Sequence, residues 1–132
     1  MLLVKTKTGP SLIEGTGLFA DELIPKGARI WEFSKETDEA YTKEDAETLP
    51  EPKRSDILGL HFSYVSKKTG RYILSGDDAK YMNHSFTPNT RNIFVADSEE
   101  DIQLAVRDIQ KGEELTVDYR VFEDEINFEI KN

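Results

Sequence analysis

Apolar and polar positions alternate along this chain in short stretches, and Gly, Pro, Asn or Asp closes each stretch. A period of two puts one face of a strand on a core and the other toward solvent. Read this way, Leu2 to Lys5, Leu18 to Ala20, Ala28 to Phe33, His61 to Val65, Arg71 to Leu74, Asn92 to Ala96, Ile102 to Val106 and Leu115 to Val117 are strands. Lys67-Lys68-Thr69-Gly70 and Asp97 to Asp101 carry the residues of hairpin turns. Between Thr37 and Gly59 the alternation gives way to helix signals. There Thr42 with Asp45 resembles a capping box, and Pro50 with Pro52 separates two short helices. Gly76 to Met82 adds a further helical turn. The pattern predicts a mostly β, β-rich α+β fold with short helices, in one domain over 1–132. Its variable helical insertion spans about 37–59, and a tail follows from 120 to 132.

One internal echo interrupts this picture. Ile24-Pro25-Lys26-Gly27 and Ile109-Gln110-Lys111-Gly112 repeat an apolar-x-Lys-Gly pattern, each leading toward a strand. Glycine after a short polar loop is ordinary turn chemistry, so the echo predicts two similar turns at strand starts.

Composition narrows the partners. The 132 residues are enough for one core without covalent staples. Cysteine is absent, which excludes disulfides and thiolate metal sites, and two histidines, His61 and His84, do not close a structural zinc site. No metal is therefore expected. Lys plus Arg number 17 against 26 Asp plus Glu, a formal charge of -9. Such a surface repels nucleic-acid phosphate and favours a basic protein segment. No apolar run approaches the ~20 residues of a membrane span, so a soluble, cytoplasmic protein without membrane contact is expected. Whether it is a monomer or a homodimer stays open.

Three segments carry candidate chemistry. Gly15-Thr16-Gly17-Leu18-Phe19 reads as a tight turn before a strand, or as a place where backbone approaches a ligand closely. It lacks the remainder of a dinucleotide fingerprint, which excludes a Rossmann reading. Asn83-His84-Ser85-Phe86-Thr87-Pro88-Asn89 is a polar, turn-forming loop beside Tyr81 and Met82, suited to a semi-buried binding loop or to a structural one. Gly112 to Tyr119 is a turn plus a strand ending in an aromatic with a polar tip.

Taken together and in this order, these segments resemble the SET-domain protein-lysine methyltransferases. Lys80 to Asn89 and Gly112 to Tyr119 match that family's two long motifs, and Ala28 to Phe33 is similar to a strand of its small bacterial members. The resemblance covers about Gly15 to Tyr119. It implies small sheets around a pseudoknot, with the C-terminal segment passing through a loop and bringing Asn83-His84 beside Tyr119. It implies S-adenosylmethionine as cofactor and a methyl transfer to a lysine amine of a protein or peptide, here a basic one. By motif, Gly15, Thr16, Gly17, Leu18, Lys80, Tyr81, Asn83 and His84 hold the cofactor; in the tail, Phe122 or Phe128 covers its adenine or serves as a plain hydrophobic anchor. Phe33, Tyr81, Val117 and Tyr119 line the lysine channel, with Tyr119 as the catalytic tyrosine. The cysteine-rich zinc segment that follows this tyrosine in many members has no counterpart. Phe33 stands where many members carry a channel tyrosine, and Lys80 where they carry arginine. Two alternatives accompany this reading: a weak or inactive binding module on the same fold, and methylation of a small-molecule amine.

Overall fold

A computed structural model describes residues 1–60 and 62–118, together with the backbone of a strand over residues 122–124. The chain forms β1 (Thr6–Pro10), β2 (Thr16–Ala20), β3 (Arg29–Trp31) and β4 (Glu39–Tyr41), then helices α1 (Lys43–Glu47) and α2 (Lys53–Leu58). Next come β5 (Ser63–Val65), β6 (Tyr72–Leu74), a 3-10 turn (Asp78–Tyr81), β7 (Asn83–His84) and β8 (Thr90–Phe94). The strands β9 (Ile102–Ala105), β10 (Thr116–Val117) and β11 (Phe122–Asp124) complete the order.

These strands build small separate sheets, as the resemblance implies. A four-stranded sheet runs β11-β8-β9-β3, a three-stranded sheet runs β4-β6-β5, and β1-β2 and β7-β10 make two pairs. Both expected hairpins form: β5 and β6 flank Lys67 to Gly70, and β8 and β9 flank Asp97 to Asp101, each pair antiparallel. The β7-β10 and β11-β8 pairs are parallel, with Thr116 and Val117 opposite Asn83 and His84, and Phe122 to Asp124 opposite Asn92 to Phe94.

Three local expectations need correction. Leu2 to Lys5 is not a strand; Leu2 makes one bridge to Trp31, and its N–H donates to Asp77 while that of Lys5 donates to Glu22. Its alternation records packing, since Leu2 and Val4 lie on the main core cluster while their backbone groups bond to several different elements. The first strand is instead the polar Thr6–Pro10, formed because β2 offers it a complete ladder. The insertion also contains a strand, β4, whose Glu-Ala-Tyr sequence carries little pattern and which is held by pairing with β6. Its helices form as expected: Thr42 Oγ1 accepts from the Asp45 N–H at 3.1 Å, and the two prolines lie between α1 and α2.

The core gathers residues from distant parts of the sequence. Leu18, Ile24, Ile30, Ile109, Leu115 and Val117 are fully buried in one cluster. Burying each such side chain contributes roughly 1.5–3 kcal/mol. Ile93, Val95, Ile102 and Leu104 form a second cluster on one face of the four-stranded sheet. The two echoing turns lie against each other: Ile24 and Ile109 exchange backbone hydrogen bonds of 2.9 and 2.8 Å, and Lys26 N–H donates to Asp108. Among the described residues no helix is long and apolar enough to cross a membrane, and no group of three or more acidic or histidine side chains is placed to hold a metal.

Candidate functional site

The site begins with a loop that needs two glycines for different reasons. Ser11 N–H donates to the Gly15 carbonyl at 2.8 Å, closing the turn between β1 and β2. Gly15 has φ +49 and an ideal Cβ there would meet nothing within 4 Å, so its backbone is both left-handed and open to a ligand. Gly17 is different. A Cβ there would lie 2.5 Å from Glu114 Oε2 and 3.0 Å from the Ser11 Cβ, so only glycine permits the carboxylate to approach.

Glu114 then ties the three motifs together. Ser11 Oγ donates to its carboxylate at 2.8 Å, and Asn83 Nδ2 donates to Oε2 at 2.9 Å. The same Asn83 amide reaches Ser11 Oγ and the Glu14 carbonyl, each at 3.1 Å. The loop of the first motif, the asparagine of the second and the acidic residue of the third therefore meet at one point. Glu114 was visible in the sequence only as one member of a motif. That its carboxylate fastens the glycine loop depends on a contact across 103 positions of chain.

Asn89 holds the second and third motifs in register. It is buried, donates from Nδ2 to the Glu114 carbonyl at 2.8 Å, and accepts the Thr116 N–H on Oδ1 at 2.9 Å. Thr90 adds a bond of 2.7 Å to the Thr116 carbonyl. With these constraints, Asn83 and His84 pair in parallel with Thr116 and Val117. The His84 ring packs edge-on against Phe86 with centroids 4.8 Å apart, and its Nδ1 lies 3.8 Å from the Asp118 carboxylate.

The remaining predicted residues fall around this point. Gly15 and Thr16 are exposed, whereas Leu18 is fully buried, so only its backbone faces the loop. Lys80 and Tyr81 end the 3-10 turn, with the Lys80 ammonium 5.4 Å above the Tyr81 ring and Phe62 edge-on to that ring at 5.8 Å. Lys80 and Phe62 also line a cleft of about 330 Å³ walled by Ile57 and Leu74. In its rim, hydrogen bonding to Glu39 raises Lys53 above the ordinary lysine range. Phe33 is partly buried beneath the Arg71 guanidinium, 5.9 Å from its ring. Val117 is fully buried within the main core cluster. Tyr119 and Phe128 lie outside the described residues, and Phe122 is described only as backbone, in register with Asn92.

Comparison with known proteins bears on the same residues. The family pattern for the SET domain matches residues 15–120. A histone-lysine N-methyltransferase of Schizosaccharomyces pombe, H3 lysine-4 specific, is 34% identical over 118 residues, covering 85% of this chain and 12% of the relative. Another from the same organism, H3 lysine-36 specific, is 32% identical over 120 residues, covering 82% of this chain and 14% of the relative. The chain therefore spans only a small part of these relatives. Polycomb Repressive Complex 2 of Chaetomium thermophilum, solved with S-adenosylmethionine bound, shares the fold at TM-score 0.64 and 21% identity, over 88% of this chain and 15% of that one.

Proposed function

Because the chain belongs to the SET-domain family, we propose that it binds S-adenosylmethionine and transfers the methyl group to a lysine amine of a basic protein. The observation that carries this reading is the junction of Asn83, Glu114 and the Gly15 to Gly17 backbone, where the family's separate motifs converge.

The residues present suit a ligand with a zwitterionic amino-acid head. Among the described residues, nothing donates to Asn83 Oδ1, which leaves an acceptor for an ammonium beside the open backbone at Gly15. Lys80 forms no ion pair with any described residue and supplies a positive charge for a carboxylate. Asn83 and Lys80 are thus the residues that would hold the head group, and the backbone at His84 belongs to the same wall. When bound, the cofactor supplies an electrophilic methyl carbon on a sulfonium. The chain's task is alignment: presenting a neutral amine in line with that carbon contributes most of the rate such a site gains. A lysine amine has an ordinary pKa of about 10.4, so desolvation at a tyrosine-lined opening favours the neutral, nucleophilic form. Tyr119, placed by its motif, would orient that amine through its hydroxyl.

A basic protein partner follows from the charge of -9. Incubation with radiolabelled S-adenosylmethionine and purified core histones, followed by mass spectrometry of labelled peptides, tests the proposal. Label on lysine side chains is the expected result. Tight cofactor binding with no label in any protein would replace the enzyme by a binding module.

A further inference from the structure

The turn from Asp97 to Asp101 carries four acidic residues, and one of them, Glu100, is fully buried. A buried carboxylate is tolerated only when its oxygens are bonded and its charge is met. Both conditions are satisfied from the other hairpin. Thr69 Oγ1 donates to Oε1 at 2.6 Å, and Arg71 donates to Oε2 from Nε at 2.8 Å and again from Nη2. Nη2 also donates to Glu99 at 2.9 Å. The guanidinium is therefore held by two carboxylates of one turn, which fixes the orientation of its plane.

Docking the two hairpins does not need this arrangement. The Lys67 N–H donates to Asp101 at 3.1 Å, and the Lys68 ammonium donates to the Val95 carbonyl at 2.6 Å and to the Ser98 carbonyl. What the fixed guanidinium adds is a contact outside both hairpins. It lies over the ring of Phe33, 5.9 Å from the centroid, with the Arg71 side chain 28% exposed. β3 ends at Trp31, so Phe33 stands beyond the ladder and its ring takes its direction from side-chain packing. A cation over an aromatic face attracts it, more strongly where water is partly excluded.

We infer that Arg71 is a positioning residue: locked by Glu100, it holds the Phe33 ring as a wall of the lysine channel, so the turn from Asp97 to Asp101 sets how the substrate lysine is presented. This rests on the methyltransferase reading above and on the place that the family motif gives Phe33. The guanidinium occupies one face of the ring, and the methylene stem of the lysine packs on the surface that remains. Without the guanidinium the ring turns into the space it leaves, and the stem loses its wall. In-line attack depends on where the amine sits, and a displacement of about 1 Å costs on the order of a hundredfold in rate. The Asn83 and Glu114 junction is built from other residues, so cofactor binding should not respond.

The test uses the full chain with S-adenosylmethionine and poly-L-lysine. Arg71→Lys keeps a cation for Glu100 but replaces the rigid fork by a mobile ammonium. It should melt close to wild type and bind S-adenosylhomocysteine with unchanged affinity, while kcat/KM for poly-L-lysine falls by about tenfold. Arg71→Met combined with Glu100→Met removes both charges together and leaves no buried ion, so it is read in the same way if Arg71→Lys does not fold. Phe33→Leu removes the ring and should lower kcat/KM by itself. In that background Arg71→Lys should have little further effect, because the side chain it acts through is gone. Losses that multiply in the double variant, an unaltered kcat/KM in Arg71→Lys, or normal turnover in Phe33→Leu overturns the proposal. So does a fall in S-adenosylhomocysteine affinity large enough to account for the lost rate. No methyllysine at all from wild type overturns the methyltransferase reading instead.

Discussion

Asn83 Nδ2 donates to the Glu114 carboxylate at 2.9 Å, and that one contact fastens the asparagine loop to the acidic turn that also holds the glycine loop. Glu114 receives Ser11 on the same carboxylate, so its side chain is the anchor on which both ligand-facing segments rest. Glu114→Ala should leave Ser11 and Asn83 without their charged acceptor. Hydrogen bonds to charged groups are worth about 1.5–3 kcal/mol, so S-adenosylhomocysteine affinity should fall by about tenfold or more. Calorimetric titration checks this, and an affinity within twofold of wild type would show that the loop is set without Glu114.

Tyr119→Phe removes a hydroxyl and keeps the ring. If that hydroxyl orients the amine, single-turnover methylation should slow by about two to three orders of magnitude, the scale for loss of one preorganised polar group. Cofactor affinity and melting temperature should scarcely move. A rate within threefold of wild type would end the catalytic assignment.

Ile109→Ala tests the paired turns. Ile109 is fully buried and its backbone is bonded to Ile24 on both sides. Truncation in a core of this kind costs about 2–5 kcal/mol, seen as a lower midpoint in urea with little change in slope. The backbone pairing survives the substitution, so a near-zero change would mean that the two turns hold by hydrogen bonds alone.

Asp101 should give stability an inverted pH dependence. Burial pushes its carboxyl up to about 6, against the hydrogen bonds from the Lys67 and Lys68 backbone that pull it down. An unfolded aspartate titrates near 3.9, so between about pH 4 and 6 the folded state holds the proton and the unfolded state does not. Stability from this group is therefore present at low pH and lost as pH rises through 6. Asp101→Asn should be more stable than wild type at pH 7.5, by on the order of 2 kcal/mol, with the advantage vanishing at pH 4. Paired urea melts across this range measure it, and a difference independent of pH would contradict the assignment.

Much of this was legible from the chain alone, because it depends on neighbours in sequence. Alternation located β2, β3, β5, β6, β8, β9 and β10, since a half-buried strand must place every second residue inward. Turn and cap chemistry located both hairpins and α1, because Gly70 with φ +76 and Thr42 beside Asp45 act within a few residues. The motifs placed Asn83 and the glycine loop in one candidate site for a related reason: ligand-binding loops require particular residue types at short spacings.

What only the tertiary structure decided is what meets across the chain. Thr6–Pro10 and Glu39–Tyr41 became strands because β2 and β6 presented open ladders, a property of the partner that their own residues do not encode. The Ile24 and Ile109 echo became a backbone pair rather than two separate turns. Glu114 became the anchor of a loop 103 positions away, and Asn92 and Gln103 came to face each other in a buried row, through register rather than composition. A carboxylate or an amide looks alike in sequence whether it faces solvent or a core. Its role is set by desolvation and by the partners that folding brings within about 3 Å.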